Sequence, residues 1–121
     1  MATIDRKDPP TDSEVELFLN SVDFKLPPGL IDFYREANGG YIKGKKTGVG
    51  LWPLTNLIRL NKGYDVDVYA PDFFIFGSDG GGTAYAIEKE TGHIWEIPFI
   101  GMSREEAVFK GSTFNEFVHS L

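Results

Sequence analysis

The residues most suggestive of chemistry form a glycine-rich segment, Gly77–Gly82, with the sequence GSDGGG. A P-loop places a Lys directly after its last glycine, because that Lys meets the phosphates, but Thr83 follows here. The segment leads into a predicted strand, so no helix N-terminus faces an anion. The carboxylate of Asp79 would repel phosphate. The spacing therefore predicts a turn between two strands, with no nucleotide or other cofactor.

Ser78, Asp79 and His93 supply the side-chain types of a hydrolytic triad. A nucleophile elbow needs the pattern G-x-S-x-G, and Phe76 stands where its first glycine belongs. No second signature supports catalysis. We therefore assign no catalytic residue and expect a protein that is not an enzyme.

Metal-ligating patterns are equally weak. The two histidines, His93 and His119, are too far apart in sequence for a local zinc motif, and the chain has no cysteine. Asp65 and Asp67 form an Asp-x-Asp pair, but a calcium loop needs further oxygen ligands at fixed offsets. We expect no metal site.

Composition and charge indicate a single globular domain with a protein partner. The chain has 121 residues, 41% hydrophobic and 25% charged, and a net charge of −6. Residues 1–35 carry −3, residues 36–63 carry +4, and residues 64–121 carry −7. An acidic surface disfavours nucleic acid and attracts basic proteins, although the same charge also keeps a protein soluble. Without an apolar run long enough to cross a bilayer, we expect a cytoplasmic protein that does not bind membranes.

The strands are predicted around the glycine-rich turn. Phe73–Phe76 is an unbroken apolar run, typical of a strand buried on both faces. Thr83–Ile87 resumes after the turn, and His93–Ile97 forms a hairpin with it. A further hairpin is predicted at residues 41–52, with a lysine-rich tip. Residues 64–69 alternate in character and predict an edge strand or extended loop.

Helices are predicted on both sides of these strands. Thr11 with Glu14, or Ser13 with Glu16, forms a capping box for a helix that ends near Ser21. A second helix begins near Pro28 and ends at Asn38-Gly39-Gly40. Three more are predicted: one capped by Thr55 that extends from Asn56 to about Lys62, one that begins at Ser103 and ends at Gly111, and one that begins at Thr113. The order predicts an α+β single domain over residues 11–121, with a central, mostly antiparallel sheet flanked by N- and C-terminal helices. Residues 1–10 are predicted to be a flexible arm.

Several motifs resemble the SUKH superfamily, in its Smi/Knr branch related to fungal cell-wall assembly regulators. They are Leu26-Pro27, Asn38-Gly39-Gly40, Trp52-Pro53-Leu54, Asn61, and Phe76-Gly77-Ser78-Asp79-Gly80-Gly81-Gly82 with Tyr85. The resemblance extends from about Ser13 to Leu121 and departs at Pro28-Gly29 and at Thr83. It implies an α+β domain without catalytic residues. It also implies a structural role for the motif residues Asn38, Gly39, Gly40, Gly77, Gly80, Gly81 and Gly82.

The resemblance further implies an immunity protein that binds and neutralises a polymorphic toxin, often a nuclease and therefore basic. The candidate partner-binding residues are aromatic and acidic, and they are Tyr41, Trp52, Asp65, Asp67, Tyr69 and Asp79. Two alternatives remain open at this point. The domain could bind a small ligand or catalyse a reaction at the turn 77–82, or it could be an intracellular scaffold or regulatory module.

Overall fold

A seven-stranded antiparallel sheet forms the centre of the computed structural model, which describes residues 3–6 and 8–121, with side chains from residue 8 onward. Each strand pairs with its neighbours in the chain, so sheet order follows sequence order. The strands are β1 (Thr3–Arg6), β2 (Gly40–Lys43), β3 (Gly48–Leu51), β4 (Phe73–Ser78), β5 (Thr83–Glu88), β6 (Ile94–Pro98) and β7 (Val108–Gly111).

Five helices surround the sheet, which confirms the predicted α+β class. They are α1 (Asp12–Ser21), α2 (Leu30–Glu36), α3 (Leu57–Gly63), α4 (Val66–Tyr69) and α5 (Phe114–Ser120), with 3₁₀ turns at Leu54–Asn56 and Arg104–Glu106. Of the two possible capping boxes before α1, the structure forms the one between Thr11 and Glu14. Within the described residues, no helix is long and apolar enough to span a bilayer.

The two faces of the sheet pack against different layers. The first face contributes Ile42, Val49, Phe74, Phe76, Ile87 and Ile94 to a cluster completed mainly by α1, α2 and α5. The second face contributes Phe73, Ile75, Ala84, Ala86 and Ile97 to a smaller cluster under α4 and residues 99–107. Strand β4 is thus buried on both sides, as its unbroken apolar sequence predicts.

A buried amide joins α3 to the middle of the sheet. Strand β3 pairs with β4 only at Gly77 and Ser78. Beside Ile75, the side chain of Asn61 occupies the position a strand would take. Its Oδ1 accepts the N–H of Ile75, and its Nδ2 donates to the carbonyls of Ile75 and Leu57, all at 2.8 Å. These bonds satisfy main-chain groups that would otherwise be buried without partners.

The prediction for residues 64–69 is wrong, because Val66–Tyr69 forms helix α4. Asp65 precedes it in the left-handed conformation, with φ of 54°, which Asp tolerates better than most residues. Val66 turns into the second-face cluster while Asp67, Val68 and Tyr69 stay exposed. The alternation therefore reflects one amphipathic turn and not a strand.

The helix predicted after Ser103 is also wrong. Only a 3₁₀ turn forms, Ser103 makes no side-chain cap, and Val108–Gly111 continues as strand β7. Strand β7 pairs with β6, and Phe109 packs edge-on against Trp95 with ring centroids 5.4 Å apart. Pairing with the sheet outweighs the local helix signal.

The predicted N-terminal arm, residues 1–10, lies partly outside the described residues. Within it the structure describes Thr3–Arg6 as strand β1, antiparallel to β2. The flexibility expected of the arm stays a prediction.

Candidate functional site

Among residues 8–121, the buried cluster on the second face includes residues of β4 to β6 and none of β2 or β3, and we call this uncovered part the open part. Tyr41 of β2 projects from this open part and is 46% exposed. Its neighbour in the pairing is Gly50, which in turn lies beside Ser78 of β4. Because Gly50 carries no side chain and Ser78 a small one, this part of the sheet presents a shallow surface.

A stack of three aromatic rings lies beside this surface, and we call Trp52, Tyr64 and Phe99 the ring stack. Trp52 and Tyr64 are nearly parallel, with centroids 5.7 Å apart and 13° between planes. Phe99 lies 5.0 Å from Tyr64 and 6.4 Å from Trp52. Tyr64 is 48% exposed, and Ile100, which follows Phe99, is 93% exposed. The stack is therefore a large aromatic surface in contact with solvent.

Hydrogen bonds from other elements fix the main chain of Trp52 and Phe99. The N–H of Trp52 donates to the carbonyl of Phe76 at 2.9 Å, and the carbonyl of Trp52 accepts the hydroxyl of Tyr34 at 2.8 Å. Burial raises the pKa of the Tyr34 hydroxyl, so it stays a donor. The N–H of Phe99 donates to the carbonyl of Gly82 at 2.9 Å. These bonds fix the main chain from which the rings of Trp52 and Phe99 extend.

Tyr64 is positioned through α3. It follows the last residue of that helix, and its N–H donates to the carbonyl of Leu60 at 3.0 Å. Helix α3 is itself held to the sheet by the Asn61 amide. The buried amide therefore orients the ring that is most exposed in the stack.

Carboxylates converge at the end of the sheet where β4 begins and β5 ends. A cleft of about 330 Å³, which we call the acidic cleft, is lined by Asp23, Phe24, Pro71, Asp72, Glu88, Lys89, Glu90 and Arg104. Lys89 pairs with Asp67 at 3.2 Å, and Arg104 pairs with Asp72 at 3.3 Å and with Glu88. Four carboxylates against two cations leave the cleft negative.

Glu88 is the buried member of this group, with its side chain 7% exposed. Burial by itself would raise its pKa, but hydrogen bonds from Thr91 and Arg104 and the nearby Arg104 charge outweigh it, so the pKa is lowered. Glu88 is therefore ionised at neutral pH. Its ion pair with Arg104 holds the segment after β6 against β5, because Arg104 belongs to the 3₁₀ turn that covers the second face.

Comparison with known proteins identifies the family of this chain. A profile of the SMI1/KNR4 family (SUKH-1) matches residues 9–120. The chain belongs to the SMI1/KNR4 family. The resemblance found in the sequence motifs is thus confirmed, over nearly the whole length. No curated protein matches the chain significantly.

In this SUKH-1 domain the glycine-rich turn is closed by its own aspartate. Asp79 Oδ1 accepts the N–H groups of Gly81 at 2.8 Å and Thr83 at 3.2 Å. Main-chain N–H groups of this kind can bind an anion, but these two already donate to Asp79 within the turn. The two described clefts are lined by other residues, the second lying between α1 and α3.

The motif residues of the SUKH-1 domain differ in what they do. A side chain at Gly39 would approach the carbonyl of Leu51 to 2.5 Å, and one at Gly77 would approach that of Gly50 to 2.8 Å, so both positions require close backbone contact. Asn38 Nδ2 donates to Thr55 at 3.2 Å, while its Oδ1 is buried without a partner.

The remaining motif glycines are Gly40, Gly80, Gly81 and Gly82. Gly40 and Gly80 have positive φ, of 135° and 83°. Gly81 and Gly82 are exposed; the N–H of Gly81 donates to Asp79, and nothing in the structure explains Gly82.

The candidate partner-binding residues fall in four places. Trp52 belongs to the ring stack, and Asp65 directly follows Tyr64 of that stack. Asp67 belongs to the ion pairs beside the acidic cleft, and Tyr69, at the end of the same helix, is 62% exposed. The other two lie apart from these: Tyr41 is on the open face and Asp79 is in the turn.

Tyr64 and Phe99 of the ring stack are absent from the sequence-based candidates. Tyr64 belongs to the segment predicted to be a strand, which hid its place at the end of α3. Phe99 and Ile100 follow the strand-ending Pro98, so two large apolar residues outside any element were the available signal. Among the described residues, no cluster of three or more His, Asp or Glu side chains could hold a metal ion.

Proposed function

We propose that this SUKH-1 domain is a non-enzymatic immunity protein that neutralises a polymorphic toxin, of the nuclease class, by direct binding. The observation that carries the proposal is the ring stack. Trp52, Tyr64 and Phe99 come from three separate segments and meet at the surface, where Tyr64 is half exposed. Preorganised aromatic side chains are the usual anchors of tight protein interfaces.

Charge supports a basic partner. The acidic cleft and Asp67 lie at the end of the sheet reached through α4, which directly follows Tyr64 and Asp65. A negative surface of this kind steers a positive protein toward it and raises the association rate at low salt. The rings would then supply contact area, and the carboxylates would favour a basic surface over a neutral one.

Inhibition in this proposal needs no bond to be made or broken. A partner docked on the second face would have its substrate-binding surface blocked sterically, and carboxylates would occupy positions that nucleic-acid phosphates otherwise take. Such an inhibitor acts in the compartment where the toxin meets its substrate, so we infer action in the cytoplasm.

The test begins with a search for a toxin gene beside this gene and continues with a protection assay that uses the encoded toxin domain. Cells expressing that domain should survive when they also express the wild-type protein. The purified pair should form a one-to-one complex whose association slows as salt increases. Failure to protect, together with no complex between the purified proteins, would contradict the proposal.

A further inference from the structure

Asp65 has a backbone conformation that disfavours side chains. Among the described residues it is the one residue other than glycine with a left-handed backbone, with φ of 54° and ψ of 40°. Its N–H donates to the carbonyl of Lys62 at 3.1 Å, and its carbonyl accepts the N–H groups of Val68 and Tyr69 at 2.9 and 3.1 Å. These bonds join α3 to α4. The fold therefore uses the main chain of residue 65 and fixes its conformation.

The carboxylate of Asp65, in contrast, contributes no bond to the fold. Asp65 directly precedes α4, yet its side chain forms no capping hydrogen bond there. Among residues 8–121 it forms no ion pair, although Lys62 lies only three residues away. A left-handed backbone is best suited to glycine, because a Cβ is strained there. Contacts within the domain therefore do not account for a carboxylate at this position.

This carboxylate lies beside the most exposed ring of the ring stack. Asp65 directly follows Tyr64, and the two residues form the connection between α3 and α4. Tyr64 is 48% exposed, and its ring contacts those of Trp52 and Phe99 at centroid distances of 5.7 and 5.0 Å. Asp65 is itself exposed. An aromatic surface and an unpaired carboxylate are therefore presented to solvent side by side.

We propose that Tyr64 and Asp65 recognise an arginine side chain of a basic protein partner, with the guanidinium against the Tyr64 ring and hydrogen-bonded to the Asp65 carboxylate. A guanidinium group is planar, stacks on aromatic rings and donates two parallel hydrogen bonds to a carboxylate. An ammonium group is more strongly hydrated and acts as a point charge, so lysine should bind less well. The inference rests on the proposed function for the partner's identity as a toxin, and it assigns Asp65 the selection of arginine.

The first experiment titrates the isotope-labelled protein with a blocked glycine–arginine–glycine tripeptide and records NMR spectra. The signals of Tyr64 and Asp65 should shift. At equal concentration these shifts should be roughly three times those caused by the matching citrulline peptide, which has nearly the same shape but no charge. The lysine peptide should cause intermediate shifts. Equal responses to arginine and citrulline overturn the proposal, and a lysine response equal to that of arginine contradicts the selection of arginine.

The second experiment repeats the titration on two variants with the same net charge. Asp65→Asn removes the carboxylate with little change in shape, and Asn also tolerates a left-handed backbone. In this variant, the shifts that arginine causes at Tyr64 should fall to those caused by citrulline. Asp32→Asn is the matched control, because Asp32 is exposed on α2, which packs on the first face, and the shifts should equal those of the wild type. Equal losses in the two variants overturn the proposal.

Asp65→Gly separates recognition from folding. The melting temperature should stay the same or rise by up to about 3 °C, because glycine relieves the strain at this position. The response of Tyr64 to arginine should nevertheless be lost. Asp32→Gly lies within helix α2 and should lower the melting temperature, since glycine weakens a helix. A lower melting temperature in Asp65→Gly would show that the carboxylate stabilises the fold, which contradicts the inference.

These titrations contain no toxin, so their result is separable from that of the protection assay. Arginine binding at Tyr64 in a protein that protects against no toxin would contradict the proposed function and support this inference. Protection against a toxin, without arginine binding at Tyr64, would contradict this inference alone.

Discussion

The two faces of the sheet bury different kinds of side chain. On the first face, three helices cover large aromatic and aliphatic side chains, and Phe117 lies edge-on to Phe76 with centroids 5.6 Å apart. On the second face, a four-residue helix and an irregular segment cover small residues such as Ala84 and Ala86. The small residues leave room for the rings of Trp52 and Phe99, which pack against this cluster but are only partly buried.

This difference indicates a division of roles. The first face forms the larger part of the core, because more of its side chains are large and buried. The second face leaves aromatic area exposed that a larger covering layer would have buried. Substitutions on the first face should therefore change stability, and under the proposed function substitutions in the ring stack should change binding more than stability.

The largest expected effect compares the same substitution on the two faces. Phe117→Ala should lower the free energy of unfolding by about 3–5 kcal/mol, because it leaves a cavity among residues that cannot collapse. Phe99→Ala should cost roughly half of that or less, since its ring is only partly buried. Chemical denaturation of both variants measures the difference. Equal losses would break the distinction between the faces.

The second effect concerns the amide that joins the faces. Asn61→Ala should cost about 2–3 kcal/mol, because it leaves main-chain groups of Ile75 without partners in the interior. Asn20→Ala, at an exposed position of α1, serves as the control and should change stability little. In Asn61→Ala, hydrogen exchange at the amide of Ile75 should also accelerate. Unchanged stability would show that water replaces the amide.

The third effect is the pH-dependent contribution of Glu88 to the stability of the second face. Glu88→Gln should cost about 1–2 kcal/mol at neutral pH, because a charged hydrogen-bond acceptor is lost. The pKa of Glu88 is lowered on folding from an ordinary 4.5, so its contribution is complete above that pH. It disappears as pH falls through the folded-state pKa.

Denaturation at several pH values measures this contribution as the gap between wild type and Glu88→Gln. The gap should close in acid. Glu90→Gln, on the exposed turn beside it, should show no such gap. A gap that grows as pH falls would contradict the assignment.

The smallest expected effect on stability is in the exposed ring. Tyr64→Ala should cost no more than about 1 kcal/mol, because half of the side chain already contacts water. Thermal unfolding checks this value. A loss as large as that of Phe117→Ala would mean that the ring stack belongs to the core.

Local signals in the sequence were sufficient for most of the fold. The apolar run 73–76, the turn closed by Asp79, and the caps at Thr11 and Thr113 act over a few residues, so each can be predicted from its neighbours. The C-terminal helix shows this well, since Thr113 Oγ1 accepts the N–H of Glu116 at 3.0 Å as its spacing predicts.

Features that depend on distant contacts were not predictable. Strand β7 forms because it pairs with β6, and helix α4 forms because Val66 packs into the second-face cluster. The ring stack joins residues 52, 64 and 99, which no spacing relates. Trp52 was predicted as a candidate contact because of its type, whereas Tyr64 and Phe99 acquire significance only through the fold.

The most direct test of the proposal that the second face is the binding surface compares the affinities of two variants for a toxin domain found to be neutralised by the wild-type protein. Tyr64→Ala alters the ring stack, and Leu17→Ala alters a side chain that is more exposed, at 68% against 48%, on α1, which packs over the first face. Isothermal titration should show that Tyr64→Ala weakens binding at least tenfold, or about 1.4 kcal/mol, while Leu17→Ala binds like the wild type. Unchanged affinity in Tyr64→Ala with a loss in Leu17→Ala would place the interface on the opposite side of the molecule.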